Sequence, residues 1–247
     1  MTVNLKISVS GVRGIAGESL TPSIVADFAS SFGEYLGGGR VVVGRDTRVT
    51  GLIFERAVTA GLISVGCKPL LLGIVPTPTI QIAVDALRAK GGIVISASHN
   101  PIEWNALKFI GSSGIFLNNI EATELFDIYN QQDSAYVLES EMKSVENIND
   151  AFSYHKEKIF KNINTDIIKK RKFRIAIDSC NGAGAFFAPN FLSEMGAEIV
   201  PLFTETDGTF RRNPEPIKEN LKAISEEVIK NKCDVGFAQD PDADRLT

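Results

Sequence analysis

The 247-residue chain is 44% hydrophobic and 23% charged with a formal net charge of −4, the make-up of a globular protein long enough for two domains of ordinary size. That charge argues against broad nucleic-acid binding, which needs a clustered basic surface. No apolar stretch approaches the length of a membrane span, and residues 1–20 carry no basic start leading into an apolar run, so the expected location is cytoplasmic, without membrane or nucleic-acid partners. Cys67, Cys180 and Cys233 are odd in number, far apart and outside any CxxC pattern, which suggests neither a disulfide framework nor a zinc site.

In chain order, the first clear element is a helix over residues 22–36. Thr21 is its N-cap, Pro22 its first residue, and Ile24, Phe28, Phe32 and Tyr35/Leu36 share one face. Gly37-Gly38-Gly39 reads as a helix stop and turn, because it precedes a strand and opens no helix. A strand at 40–44, a helix at 51–65 with Thr50 as N-cap, a strand at 68–72, a helix at 78–87 and a strand at 92–95 follow. The polar stretch 131–149 reads as a linker into a helix at 151–160. The alternation then resumes: strand 174–178, helix 185–195, strand 198–202, helix 218–230, strand 235–238. This order predicts an α/β protein of two consecutive domains, residues 1–149 and 150–247, with mixed, mostly parallel sheets flanked by helices. Their chemistry belongs in loops at the carboxyl ends of strands.

Two loops fit that placement. After the strand at 235–238, Asp240-Pro241-Asp242-Ala243-Asp244-Arg245 sets three carboxylates at alternate positions. They repel one another unless a cation neutralises them, and hard oxygen ligands suit Mg²⁺ or Ca²⁺. A solvated acidic turn is the alternative, whereas an EF-hand is excluded because Arg245 stands where its loop needs glycine. After the strand at 92–95, Ser96-Ala97-Ser98-His99-Asn100-Pro101 holds a serine beside a histidine. It is an ordinary turn or a nucleophile loop, and it lacks the glycine spacing of a hydrolase elbow. Asn181-Gly182-Ala183-Gly184 has the look of a short phosphate loop, but without GxGxxG or a following lysine it is weak support for nucleotide binding.

These two loops, with Ser10-Gly11-Val12-Arg13-Gly14, Gly44-Arg45-Asp46-Thr47-Arg48 and Asn105-Ala106-Leu107-Lys108-Phe109, together resemble the α-D-phosphohexomutase family of phosphoglucomutases, phosphomannomutases and phosphoglucosamine mutases. The segment 103–108 is most similar to the phosphoglucosamine branch. The resemblance implies that Ser98 carries the phosphoryl group and contacts Mg²⁺ through it. It places Asp240, Asp242 and Asp244 on that metal, Lys108 in proton transfer, Arg13 in electrostatics and positioning, and His99 and Arg245 as cations beside the phosphoserine. Arg45 and Arg48 are either structural, pairing with Asp46 or backbone carbonyls, or direct participants.

The implied reaction interconverts a hexose or hexosamine 6-phosphate and its 1-phosphate through a bisphosphorylated sugar. The family has four domains, and neither its sugar-selecting Gly-Glu loop nor its phosphate-gripping Arg-Ser-Gly-Thr loop occurs here. The resemblance therefore implies the amino-terminal half of a mutase, with the carboxyl-terminal domains missing and no turnover by these residues alone. A non-catalytic sugar-phosphate or divalent-ion module, and a phosphatase with Asp240 as nucleophile, are the competing readings. The residues carry no signal for oligomeric state.

Overall fold

The computed structural model describes residues 5–247. Residues 1–4, which belong to the expected first domain and to the stretch searched for a leader, lie outside the described residues. From the amino terminus, β1 (Lys6–Ser8) and β2 (Gly11–Ile15) are followed by α1 (Pro22–Tyr35), β3 (Gly39–Arg45), α2 (Gly51–Ser64), β4 (Cys67–Ile74), α3 (Thr77–Ala86), β5 (Gly91–Ile95), β6 (Trp104–Gly111), α4 (Asn119–Gln131) and β7 (Glu146–Asn147). Then come α5 (Ala151–Phe160), α6 (Thr165–Arg171), β8 (Arg174–Asp178), α7 (Gly184–Glu194), β9 (Glu198–Leu202), α8 (Lys222–Lys230) and β10 (Val235–Ala238). Among the described residues no helix is long and apolar enough to cross a membrane.

The strands make a seven-stranded sheet, β1-β2-β6-β5-β3-β4-β7, and a three-stranded sheet, β10-β8-β9. The large sheet is mixed. β3 pairs in parallel with β4 and β5, and β4 with β7; β1–β2, β2–β6 and β5–β6 are antiparallel. The small sheet is parallel throughout.

Alternation along the strands feeds two cores. Val41, Val43, Ile93 and Ile95 face α1, α2 and α4 with Phe28, Phe32, Phe54, Leu62 and Leu125. Val42, Val94, Leu70 and Ile110 face the other way, against Ile80, Ala83 and Val84 of α3 and Ala151 of α5. Successive strand side chains point to opposite faces, so one strand serves both layers. Each fully buried Val, Leu or Phe contributes about 1.5–3 kcal/mol. Ala176, Ala238 and Ile224 centre a smaller third core on the second sheet.

Several elements differ from the sequence reading. The stretch read as a linker contributes β7, which adds an edge to β4 through Leu70↔Glu146 and Leu71↔Asn147. The helix expected at 218–230 is a 3₁₀ turn at Lys218–Asn220 followed by α8. Thr21 caps α1 as expected, accepting from the Ile24 amide at 3.4 Å. Thr50 makes no capping bond; its Oγ1 instead accepts from Asn105 Nδ2 at 2.9 Å. Strands β1, β2 and β6 and helices α4 and α6 went unread.

Candidate active site

The site forms where loops from the two sheets meet. β5 ends at Ile95 and delivers Ser96 to Asn100; β10 ends at Ala238 and delivers Asp240 to Arg245. Register explains two of the basic groups. Arg13 on β2 is the cross-strand partner of Ala106 on β6, and Lys108 lies two residues further along β6. Opposed residues share a face and i, i+2 residues do too, so Arg13 and Lys108 rise on the same side of the sheet. The hairpin approaches closely at Gly11: its φ is +107°, and a Cβ there would lie 2.0 Å from the Leu107 carbonyl oxygen.

A cleft of about 200 Å³ is lined by Arg13, Ser98, His99, Lys108, Asp244 and Arg245, together with Ser8, Ser10, Gly11, Ala106 and the rest of the Ser96–Asn100 loop. At its floor the Ser98 hydroxyl donates to Asp240 Oδ2 at 2.6 Å. Lys108 Nζ donates to Asp242 Oδ2 at 2.7 Å and reaches Asp244 Oδ2 at 3.5 Å. Arg13 is exposed at the cleft wall, and Arg245 is exposed, 4.0 Å from Glu215. All eight residues singled out in the sequence are thus brought together.

The three aspartates have carboxylate oxygens within 4.8 Å of one another. Asp240 and Asp242 are buried, and Asp242 Oδ1 has no hydrogen-bond partner among the described residues. A buried carboxylate oxygen left unpaired is costly. Burial, followed by the charge of Asp242, pushes the Asp240 carboxyl up to about 7; burial and the same charge raise Asp244. Burial also works to raise Asp242, but the Lys108 ammonium and the hydrogen bonds from Lys108 and Thr77 more than reverse it, holding Asp242 low. The donor set of clustered carboxylates with one orphaned oxygen therefore fits a hard divalent cation.

Burial works to lower Lys108, yet the aspartates outweigh it and hold the ammonium above its ordinary value. In this arrangement the Lys108 ammonium is a hydrogen-bond donor to the acidic loop. His99 departs from the expectation of a second cation: burial and the neighbouring Arg245 charge lower its pKa. Its ring is therefore neutral at neutral pH, with Nδ1 3.4 Å from Ser98 Oγ.

Sequence reasoning missed Thr77 altogether. From the start of α3 its hydroxyl donates to Asp242 Oδ2 at 2.7 Å and its amide to the Asp242 carbonyl at 2.9 Å, so the large sheet holds the loop of the small one. Arg212 was missed as well. It bonds Asp178 Oδ2 at 2.7 Å and also donates to the Gln239 carbonyl, bracing the residue before Asp240. Neither residue stands in a motif, and partners so distant in sequence leave no local signal. The Asn181–Gly184 segment is a cradle for the acidic loop: the Ala183 amide donates to the Pro241 carbonyl at 2.7 Å, and a Cβ on Gly182 would lie 2.5 Å from that oxygen. Arg45 pairs with Glu55 at 3.4 Å and Arg48 with Asp46 at 3.1 Å.

The chain is similar to known proteins over most of its length. Residues 4–136 match the family model described as phosphoglucomutase/phosphomannomutase, alpha/beta/alpha domain I, and residues 153–247 match alpha/beta/alpha domain II. The chain is 39% identical over 241 residues to a phosphoglucomutase/phosphomannomutase of Thermococcus kodakarensis, covering 95% of this chain and 53% of that protein. It is 37% identical over 240 residues to a phosphoglucosamine mutase of Alcanivorax borkumensis, covering 96% and 53%. The crystal structure of a phosphoglucomutase/phosphomannomutase family protein from Burkholderia thailandensis superposes with a TM-score of 0.84 at 28% identity, over 98% of this chain and 54% of that one. The chain spans about half the length of the curated relatives it matches.

Proposed function

The chain belongs to the phosphoglucomutase/phosphomannomutase family, and from that premise we propose that it supplies the phosphoserine and metal-binding half of a cytoplasmic phosphohexomutase. Phosphoglucosamine mutase is the favoured activity, supported by relatives of that name such as the Alcanivorax borkumensis protein and by the segment 103–108. Phosphoglucomutase or phosphomannomutase is the alternative. We divide the chain into a phosphoserine-bearing domain at 1–149 and a metal-loop domain at 150–247.

One observation carries the proposal: the Ser98 hydroxyl sits 2.6 Å from an aspartate of the acidic loop, in a cleft whose lining includes Arg13, Lys108 and Arg245. A phosphoryl group on Ser98 would face both. Members of the family use a metal ion, and we assign Mg²⁺ to Asp240, Asp242 and Asp244 with a phosphate oxygen on Ser98. When bound, the cation neutralises charge on the transferring phosphoryl oxygens. The sugar hydroxyl attacks phosphorus, so that its oxygen–phosphorus bond forms as the Ser98 Oγ–phosphorus bond breaks. The step is proton-neutral, since the proton the sugar loses replaces the one Ser98 Oγ gains, with Lys108 as the relay. Arg13 and Arg245 offer guanidinium donors to the equatorial oxygens, and His99 offers a hydrogen bond. Reorienting the bisphosphorylated sugar requires a second grip on its far phosphate. We place that grip in a carboxyl-terminal half such as the longer relatives possess, so the 247 residues alone are expected to give no mutase turnover.

Intact-mass measurement after incubation with glucose 1,6-bisphosphate and Mg²⁺ tests the reading. A gain of about 80 Da that Ser98→Ala abolishes is expected. No gain would leave a non-catalytic binding module, and phosphate release that survives Ser98→Ala would point to Asp240 as a phosphatase nucleophile. Coupled assays with glucosamine, glucose and mannose phosphates on a full-length protein decide the sugar.

A further inference from the structure

Asp46 and Arg48 line no part of the cleft, yet their ion pair is completely buried, at 0% side-chain exposure for both. A buried ion pair is a poor source of stability, because desolvation consumes most of the attraction. What this pair touches is the loop that carries Ser98. Arg48 Nη2 donates to the Ser98 carbonyl at 3.0 Å and to the Asn100 carbonyl at 2.7 Å, and Nε donates to the Trp104 carbonyl at 2.7 Å. Nη1 bonds Asp46 Oδ2 at 3.1 Å. That same oxygen accepts the Ser96 hydroxyl at 2.7 Å, and Ser96 Oγ accepts the Ser98 amide at 2.9 Å. The two chains of bonds start from one carboxylate oxygen and end on the N–H and the C=O of Ser98.

Ser98 has a φ of +51°, in the left-handed region that residues with a Cβ avoid unless their surroundings enforce it. We propose that the Asp46–Arg48 pair is a positioning clamp that holds Ser98 in this conformation and so aims its Oγ at the acidic loop. Arg48 is the residue suited to it. A planar guanidinium reaches a carboxylate and three carbonyls at once, whereas an ammonium cannot span them. Released from the clamp, the serine relaxes toward ordinary backbone angles and its hydroxyl swings off the line to Asp240.

The catalytic part of this inference rests on the phosphoserine reading above, so the test uses two readouts. Arg48→Lys keeps a cation opposite Asp46 and a folded chain, checked by thermal melting. Amide exchange in peptides covering residues 96–101 is expected to rise about ten-fold or more, as expected for a loop released to open locally. Phosphate uptake by Ser98 from saturating glucose 1,6-bisphosphate is expected to slow about ten-fold or more, with the half-saturating concentration unchanged within about two-fold, because the cleft's own side chains remain. A merely structural role would lower the melting temperature without that split.

If Arg48→Lys does not fold, Ser96→Ala decides. It leaves the ion pair intact but cuts the link to the Ser98 amide, and uptake should slow about three-fold or more. An uptake rate within about two-fold of wild type in a folded variant overturns the clamp. If the unsubstituted chain takes up no phosphate, the phosphoserine reading falls, and exchange alone decides: unchanged exchange overturns the clamp, faster exchange sustains it.

Discussion

Replacing Thr77 by valine removes one hydroxyl and keeps the side chain's shape. That hydroxyl lies 2.7 Å from Asp242 Oδ2, both residues are 1% exposed, and the bond joins the large sheet to the acidic loop of the small one. A hydrogen bond to a charged group contributes about 1.5–3 kcal/mol. Water cannot replace the lost donor at a buried position, so the full amount is expected. For a chain of this size each kcal/mol moves the melting temperature by about 2–4 °C, and a loss of about 2 kcal/mol predicts a fall of roughly 4–8 °C. Thr77 is also one of the donors that hold Asp242's carboxyl low. The deficit should therefore be full at neutral pH and shrink as pH falls through the carboxylate range, where the charge that strengthened the bond disappears. Circular-dichroism melts of wild type and Thr77→Val at several pH values, in chelator to keep metal out, measure both effects. A melting temperature within about 1 °C of wild type at neutral pH would show that the bond does not couple the two sheets, and would refute the reasoning.

Asp242→Asn removes a charge from the acidic loop and should weaken Mg²⁺ binding at least about ten-fold by titration calorimetry; unchanged affinity rejects the metal assignment. Gly11→Ala puts a methyl 2.0 Å from the Leu107 carbonyl oxygen at a φ of +107°, so β2 must part from β6. A loss above about 1–3 kcal/mol is expected in urea denaturation, and a midpoint equal to wild type argues against the close approach. Burial and then Lys158 lower the pKa of His155 below 6.5. The unfolded chain therefore takes the proton first, and the stability contributed by neutral His155 is complete above that value and lost as pH falls through it. His155→Gln should narrow the difference in melting temperature between about pH 7.5 and about pH 5.5; an undiminished difference contradicts the assignment.

Local signals carried much of the fold. The strands at 174–178, 198–202 and 235–238 and the helix at 151–160 coincide with β8, β9, β10 and α5, because apolar alternation, helical periodicity and caps are written within a few residues of where they act. The acidic triplet and the Ser98 loop were legible for a related reason: their chemistry lies in residue types a few positions apart. The capping box of α4, Asn118 with Glu121, was also there to be read. What the tertiary structure alone decided is pairing across distance. Short, glycine-bounded β2 becomes a strand because β1 and β6 lie on either side of it, and two residues read as linker become an edge strand because β4 offers an open side. The same holds within the site. Ser98 and Asp240 are 142 residues apart, Thr77 and Asp242 165, Arg48 and Asn100 52, and no periodicity encodes such distances. They are set by how the faces of two sheets pack, which depends on all the side chains between them at once.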